Sequence, residues 1–221
     1  MIRVAINGFG RIGRSAFKIA MDNPHIDVVA INDLTDTVTL AYLLKHDSNY
    51  GAYHKDVASY EGGIEVDGQK IQVLAERDPL KLPWDKLKID VVIESTGFFT
   101  KAEDANMHIK SGAKKVVVSA AIKNDENNPL AGNFLIGVND DQLANQSIIS
   151  NQSCTTNCIT PIAYVIEKEF GIEKSLMTTV HAYTASQALQ DAPNKDLREG
   201  RNAAENIVPT TTNATVAATK I

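Results

Sequence analysis

The chain has 221 residues, 43% of them hydrophobic and 22% charged, with a formal net charge of −5. That is the make-up of a soluble globular protein of one or two domains: no apolar run is long enough to span a bilayer, no basic block suits nucleic acid, and Arg3 breaks up what would otherwise start a secretory signal. The only cysteines, Cys154 and Cys158, make no disulfide framework and lack the companions a metal site needs, so a reducing, cytoplasmic setting without a metal is expected.

Residues 2–7 alternate as a strand does. Gly8-Phe9-Gly10-Arg11-Ile12-Gly13 follows at once, and 14–21 reads as a helix. A G-x-G-x-x-G between strand and helix allows a tight turn and close approach of backbone to a pyrophosphate, with the helix N-terminus supplying N–H donors. The plainer alternative is a glycine turn that only lets strand and helix pack. Residues 28–31 form a second strand, and Asp33, twenty positions after Gly13, stands where a carboxylate accepts from an adenosine ribose and repels a 2′-phosphate. The pattern predicts a short helix over 39–45 and a hairpin over 61–74 turning at Asp67-Gly68. It predicts strands over 89–94 and 116–118, with an amphipathic helix over 102–111 stopped by Gly112. Thr96 and Ser119 lie just past those two strands, where ligands sit in a parallel sheet. A loop over 123–132 and strands over 134–138 and 148–149 complete a doubly wound parallel α/β sheet.

The next stretch organises the rest. Ser153 is a candidate N-cap, and Ile162, Val165, Ile166 and Phe170 recur at helical spacing, so a helix starts at or near Cys154. A thiol there faces unpaired N–H groups and the positive end of the helix dipole, both of which favour thiolate. The alternative is a small structural cysteine at a strand–helix junction. Residues 175–180 read as a strand ending in His181, which can serve as base to the Cys154 thiol if the fold brings the two together, or else be structural. Arg198 and Arg201, three apart in a polar loop, suit an anion or simply solvent.

Together these blocks resemble glyceraldehyde-3-phosphate dehydrogenase, the phosphorylating glycolytic family. The resemblance rests on the glycine motif with Arg14, Ala30-Ile31-Asn32-Asp33, Glu76-Arg77-Asp78-Pro79, Glu94-Ser95-Thr96-Gly97, Ser153-Cys154-Thr155-Thr156-Asn157-Cys158 and Thr178-Thr179-Val180-His181-Ala182, in order along the whole chain. It implies a Rossmann NAD-binding domain over 1–150 and the first part of an α+β catalytic domain over 151–221. It implies Cys154 as the nucleophile toward a phosphorylated aldehyde, His181 as its base, and inorganic phosphate as the group that cleaves the thioester. Gly8, Gly10, Arg11, Ile12, Gly13, Asp33, Arg77, Thr96 and Ser119 are then expected around NAD. Ser153, Thr155, Thr184, Thr212 and Arg198 or Arg201 are expected around phosphate groups. A homotetramer in the cytoplasm, with no nucleic-acid or membrane partner, is the family's habit.

Two departures stand out. Asn213 replaces a glycine whose backbone N–H meets phosphate in the family, and Ala192 replaces a leucine near the ribose, although Asp33 still argues for NAD. The family also runs on well past Ile221, with further strands, a second substrate arginine and a long helix. The sequence therefore reads as a truncated frame or a fragment, expected to bind NAD weakly and to turn over little. A sister activity on erythrose 4-phosphate and an inactive dinucleotide-binding fragment are the alternatives.

Overall fold

The computed structural model describes residues 1–122, 130–143 and 145–221. They divide into two compact units, Met1–Ser153 and Cys154–Ile221. In the first, β1 (Ile2–Asn7), α1 (Arg11–Met21), β2 (Ile26–Asn32) and α2 (Thr37–Lys45) come in turn, followed by the short pair β3 (His46–Asp47) and β4 (Gly51–Ala52). An antiparallel run follows, of β5 (Val57–Tyr60), β6 (Gly63–Val66) and β7 (Gln69–Leu74). Then come β8 (Val91–Glu94), α3 (Ala102–Lys110), β9 (Lys115–Val118), β10 (Ala131–Asn133) and β11 (Ile148–Ser150).

Nine of these strands make one sheet in the order β10-β11-β9-β8-β1-β2-β7-β6-β5, parallel from β10 through β7. The order reverses about β1, which pairs with β2 on one side and β8 on the other, as a doubly wound fold requires. Alternation along β1 feeds two cores. Val4 and Ile6 join Phe17 of α1 and Leu40 and Leu44 of α2, while Ala5 joins Trp84, Val92 and Ala105 of α3. Phe17 and Trp84 are wholly buried, each worth about 1.5–3 kcal/mol of transfer free energy for a side chain of this class.

Local signals place most elements within two or three residues of expectation. The Asp67-Gly68 turn has φ of 48° and 82°, the double left-handed geometry that matches strand twist in a two-residue hairpin. Gly112, at φ 111°, ends α3.

Some expectations need correction. The strand expected over 134–138 forms upstream instead, at Ala131–Asn133. The side chains of Asn139 and Asp140 accept from the backbone N–H of Leu135 and Gly137, which turns the chain and takes those donors away from any ladder. Of the loop expected over 123–132, residues 123–129 lie outside the described residues. The strand β5 carries little alternation of its own and is held by its partner β6.

The second unit begins with α4 (Cys154–Phe170), with Pro161 inside it, and ends with α5 (Ala214–Ala218), which packs on α4. The strand expected over 175–180 does not form: no described residue of this unit is in a strand, and Leu176 and Val180 are almost fully exposed. A strand needs a neighbour for its N–H and C=O groups, and alternation alone does not supply one.

Candidate functional site

Two sites take shape, one in each unit. The first lies at the carboxyl ends of β1, β2 and β8, the topological switch point, as a cleft of about 470 Å³. Gly8 and Gly10 line it after β1, Asn32 and Asp33 after β2, Arg77 after β7, and Ser95 and Thr96 after β8. Gly8 has φ 89°, and a Cβ there would fall 2.7 Å from the Thr96 backbone nitrogen. Gly13 is tighter still, since a Cβ would lie 2.1 Å from the Gly8 carbonyl oxygen. At Gly10 nothing stands within 4 Å, so the backbone there is bare toward the cleft. Helix α1 starts from Gly10 with no side-chain cap, which leaves its first-turn N–H groups available to an anion.

Asp33 is fixed by backbone: its Oδ2 accepts from Phe9 N–H at 2.7 Å and its Oδ1 from Thr35 N–H at 2.9 Å. Its charge therefore stays in the cleft, beside Gly8 and Gly10. Arg11 sits in the first turn of α1, but its guanidinium is drawn to Asp47 at 2.9 Å and lies over the Tyr50 ring. Ile12 is exposed on the same turn, and Ser119 follows β9, its N–H donating to the Glu94 carbonyl. The cleft is also lined by Leu34, Phe98 and Phe99, which the sequence reading left out; paired aromatics directly after a strand-end glycine were the available signal. The bare glycine cradle, uncapped helix and fixed carboxylate fit a dinucleotide.

The second site lies at the start of α4. Cys154 Sγ is 3.2 Å from His181 Nε2, so the fold joins the two residues the sequence singled out, although no strand carries His181. His181 Nδ1 lies 2.6 Å from the Ala182 carbonyl. A carbonyl only accepts, so Nδ1 carries a proton and Nε2 faces the sulfur. That carbonyl, then the sulfur, raises the imidazole above its ordinary value. Partial desolvation pushes the Cys154 thiol up, but the hydrogen bonds from His181 and Thr155 and the imidazolium charge outweigh it, and the thiol titrates below its ordinary value. Cys154 and Cys158 are both exposed, one turn apart.

The remaining phosphate candidates are scattered in their present contacts. Ser153 precedes α4. Thr184 Oγ1 pairs with Ser186 Oγ at 3.0 Å, and Thr212 Oγ1 accepts from Ala214 N–H. Arg198 grips Asp196 through Nε and Nη2, and Arg201 pairs with Asp191 at 2.8 Å. Both guanidinium groups thus face carboxylates rather than open anion sites. Asn213, next to α5, makes no side-chain cap, and the Ala192 N–H donates to the Gly200 carbonyl.

Comparison with known proteins decides the lineage. Residues 2–102 match the model of the glyceraldehyde 3-phosphate dehydrogenase NAD binding domain, and residues 153–221 match that of the C-terminal domain. The chain belongs to the glyceraldehyde-3-phosphate dehydrogenase family. Glyceraldehyde-3-phosphate dehydrogenase of Streptomyces coelicolor is 53% identical over 216 residues, covering 96% of this chain and 63% of that protein. Those of Geobacillus stearothermophilus and Thermotoga maritima are 51% and 52% identical, over 96% and 97% of this chain. The chain thus spans about 63% of the length of the curated relatives it matches. The residues that line the cleft at the switch point, from Asn7 to Phe99, all fall within the segment that matches the family's NAD-binding domain. No helix among the described residues is long and apolar enough to cross a membrane.

The Asp33 geometry carries a prediction. NAD should bind at least about tenfold tighter than NADP, a difference of about 1.4 kcal/mol. Asp33→Asn, which removes the charge and keeps an acceptor for only one of the Phe9 and Thr35 N–H groups, should narrow that gap. Calorimetry with both cofactors decides it, and equal affinities for the unaltered chain would refute the assignment.

Proposed function

We propose that this chain supplies the dinucleotide cleft and the reactive thiol of an NAD-dependent phosphorylating glyceraldehyde-3-phosphate dehydrogenase. The observation that carries the reading is the Cys154–His181 pair at 3.2 Å, in a chain whose first hundred residues match an NAD-binding domain. Gly8, Gly10, Gly13 and the α1 N–H groups would hold the pyrophosphate, Asp33 the adenosine ribose, and Thr96 and Ser119 the far side of the cofactor. When bound, the nicotinamide would supply the hydride acceptor.

The protein's own residues do the rest. The Cys154 thiolate adds to the aldehyde carbon, forming a carbon–sulfur bond, and the carbonyl oxygen takes the His181 Nε2 proton. The imidazole, now neutral at Nε2, takes back the hydroxyl proton as the carbon is oxidised to a thioester. The Cys154 backbone N–H, at the start of α4, stabilises the oxyanion at each addition. Inorganic phosphate then attacks the thioester carbon and the thiolate leaves. Ser153, Thr155, Thr184, Thr212 and Arg198 or Arg201 would receive the substrate and attacking phosphates, the arginines by exchanging their present carboxylate partners. We further propose a division near residue 150 between the cofactor and catalytic domains, a cytoplasmic setting and homotetrameric assembly, as the family implies.

The test is NADH production from glyceraldehyde 3-phosphate, with and without inorganic phosphate, by the 221-residue chain and by the same chain extended with a relative's C-terminal segment. Phosphate-dependent NADH that disappears in Cys154→Ser is expected. Faster turnover of erythrose 4-phosphate would favour the sister activity, and NAD binding without any turnover in either form would leave a binding module.

A further inference from the structure

Behind the cofactor cleft lies a buried polar chain that no step above uses. Glu94 ends β8 and is 2% exposed, and His108 of α3 is wholly buried. Glu94 Oε2 accepts from Asn7 Nδ2 at 2.6 Å and meets His108 Nε2 at 3.0 Å. Its Oε1 accepts from Thr96 N–H at 2.8 Å and from the Thr96 hydroxyl. On the far side, the Trp84 indole N–H donates to His108 Nδ1 at 3.0 Å.

The direction of the bonds through His108 and Asn7 is set from the two ends of the chain. An indole N–H only donates, so His108 Nδ1 must be bare and the ring proton sits on Nε2, facing Glu94. At the other end, Asn32 is locked by backbone: its Nδ2 donates to the Glu76 carbonyl at 2.8 Å and its Oδ1 accepts from Glu76 N–H at 2.9 Å. The same Nδ2 donates to Asn7 Oδ1 at 2.7 Å, which turns Asn7 Nδ2 toward Glu94. The Thr96 hydroxyl accepts from Phe98 N–H and also bonds Glu94 Oε1. Among the described residues, Asn7 Nδ2, His108 Nε2 and the Thr96 N–H therefore all present donors to the Glu94 carboxyl. Of these residues, Asn7, Asn32, Glu76 and Thr96 line the cleft, while Trp84 and His108 belong to the core behind it.

We propose that Glu94 is the positioning residue of the cofactor cleft, a buried carboxylate that fixes the Thr96 turn and the Asn7 amide, and that His108 and Trp84 act through it by holding one histidine tautomer. The proposal rests on the dinucleotide reading for its consequence, but its geometry belongs to the ligand-free protein. Trp84 is the only tryptophan, so its indole signal reports the chain without ambiguity.

The test compares the full chain with Glu94→Gln and Trp84→Phe by NMR without ligand, and then by calorimetric titration with NAD. In the unaltered protein the imidazole nitrogen shifts should show His108 protonated at Nε2 and bare at Nδ1. Glu94→Gln replaces one carboxylate oxygen with an amide N–H₂ that faces an N–H donor at either end, Asn7 Nδ2 and His108 Nε2 or the Thr96 amide; it should displace the Thr96 amide resonance and weaken NAD by about tenfold, the change that about 1.4 kcal/mol makes. Trp84→Phe keeps an aromatic ring in the core but frees the tautomer. It should move the Thr96 resonance in the same direction and weaken NAD less, and it serves alone if Glu94→Gln does not fold. A His108 proton on Nδ1 would overturn the proposal. So would a fall in Tm with the Thr96 resonance and NAD affinity unmoved, since that is what a purely structural role predicts. If the unaltered chain takes up no NAD, the dinucleotide reading fails, and the ligand-free shifts still decide whether Glu94 sets the turn.

Discussion

At neutral pH, Cys154 is expected to alkylate with iodoacetamide about tenfold or more faster than Cys158, and His181→Asn is expected to remove most of that difference. Both thiols are exposed, so access does not separate them. What separates them is the imidazole 3.2 Å from the Cys154 sulfur and the position of Cys154 as the first residue of α4, at the positive end of the helix dipole. An ordinary thiol, with a pKa of about 8.5, is only a few per cent thiolate at pH 7. The Cys154 thiol lies below its ordinary value and His181 above its own, so the pair is shifted toward thiolate and imidazolium. The sign follows. As pH falls through the ordinary thiol range, Cys154 labelling should persist until the pH passes its lowered value. Above the raised value of His181 the imidazolium is lost, and Cys154 reacts as a free thiolate. In turnover, loss of the base in His181→Asn should cost about 10²–10⁴-fold. Mass-spectrometric mapping of labelled peptides across pH measures the first effect. Equal labelling of the two cysteines in folded protein would reduce Cys154 to a structural residue.

Gly13→Ala should be the most damaging single methyl in the cofactor domain. The added Cβ would lie 2.1 Å from the Gly8 carbonyl oxygen and 3.0 Å from Ser95 Oγ. The first contact is backbone, and Gly8 is itself held by its N–H bond to the Asn32 carbonyl and by Ser95 Oγ on its own carbonyl. Helix α1 must therefore move off the end of β1, taking buried Phe17 with it. Overpacking of this kind costs about 1–3 kcal/mol, and a rigid partner puts it at the upper end. For a unit of this size that lowers Tm by about 6–12 °C, and NAD affinity should fall with it. Gly10→Ala is the internal comparison. Its Cβ meets nothing within 4 Å but projects where the pyrophosphate would lie, so NAD affinity should drop while Tm holds. Differential scanning calorimetry with and without NAD distinguishes the two, and an unchanged Tm in Gly13→Ala would show that the helix is not packed against Gly8.

Much of this protein is written in neighbours along the chain. The strand–glycine–helix opening, the Asp67-Gly68 turn, the glycine stop of α3 and the helix that starts at Cys154 all depend on residues a few positions apart, and all form where their local chemistry demands. The family, too, is legible there, because its motifs are short and ordered. Tertiary structure decided what local chemistry leaves open. Residues 175–180 alternate as a strand does but have no ladder partner among the described residues of their unit, and β10 falls at 131–133 because side chains of Asn139 and Asp140 claim the backbone that follows. Arg198 and Arg201 look like free cations in sequence, and in the fold each has a carboxylate. The bonds that set the cleft join Asn7 to Glu94 across 87 positions, and Asn7 to Asn32 across 25. No periodicity records such pairs, because a buried carboxylate is tolerated only where separate segments bring donors to it, and which segments meet is decided by the sheet order.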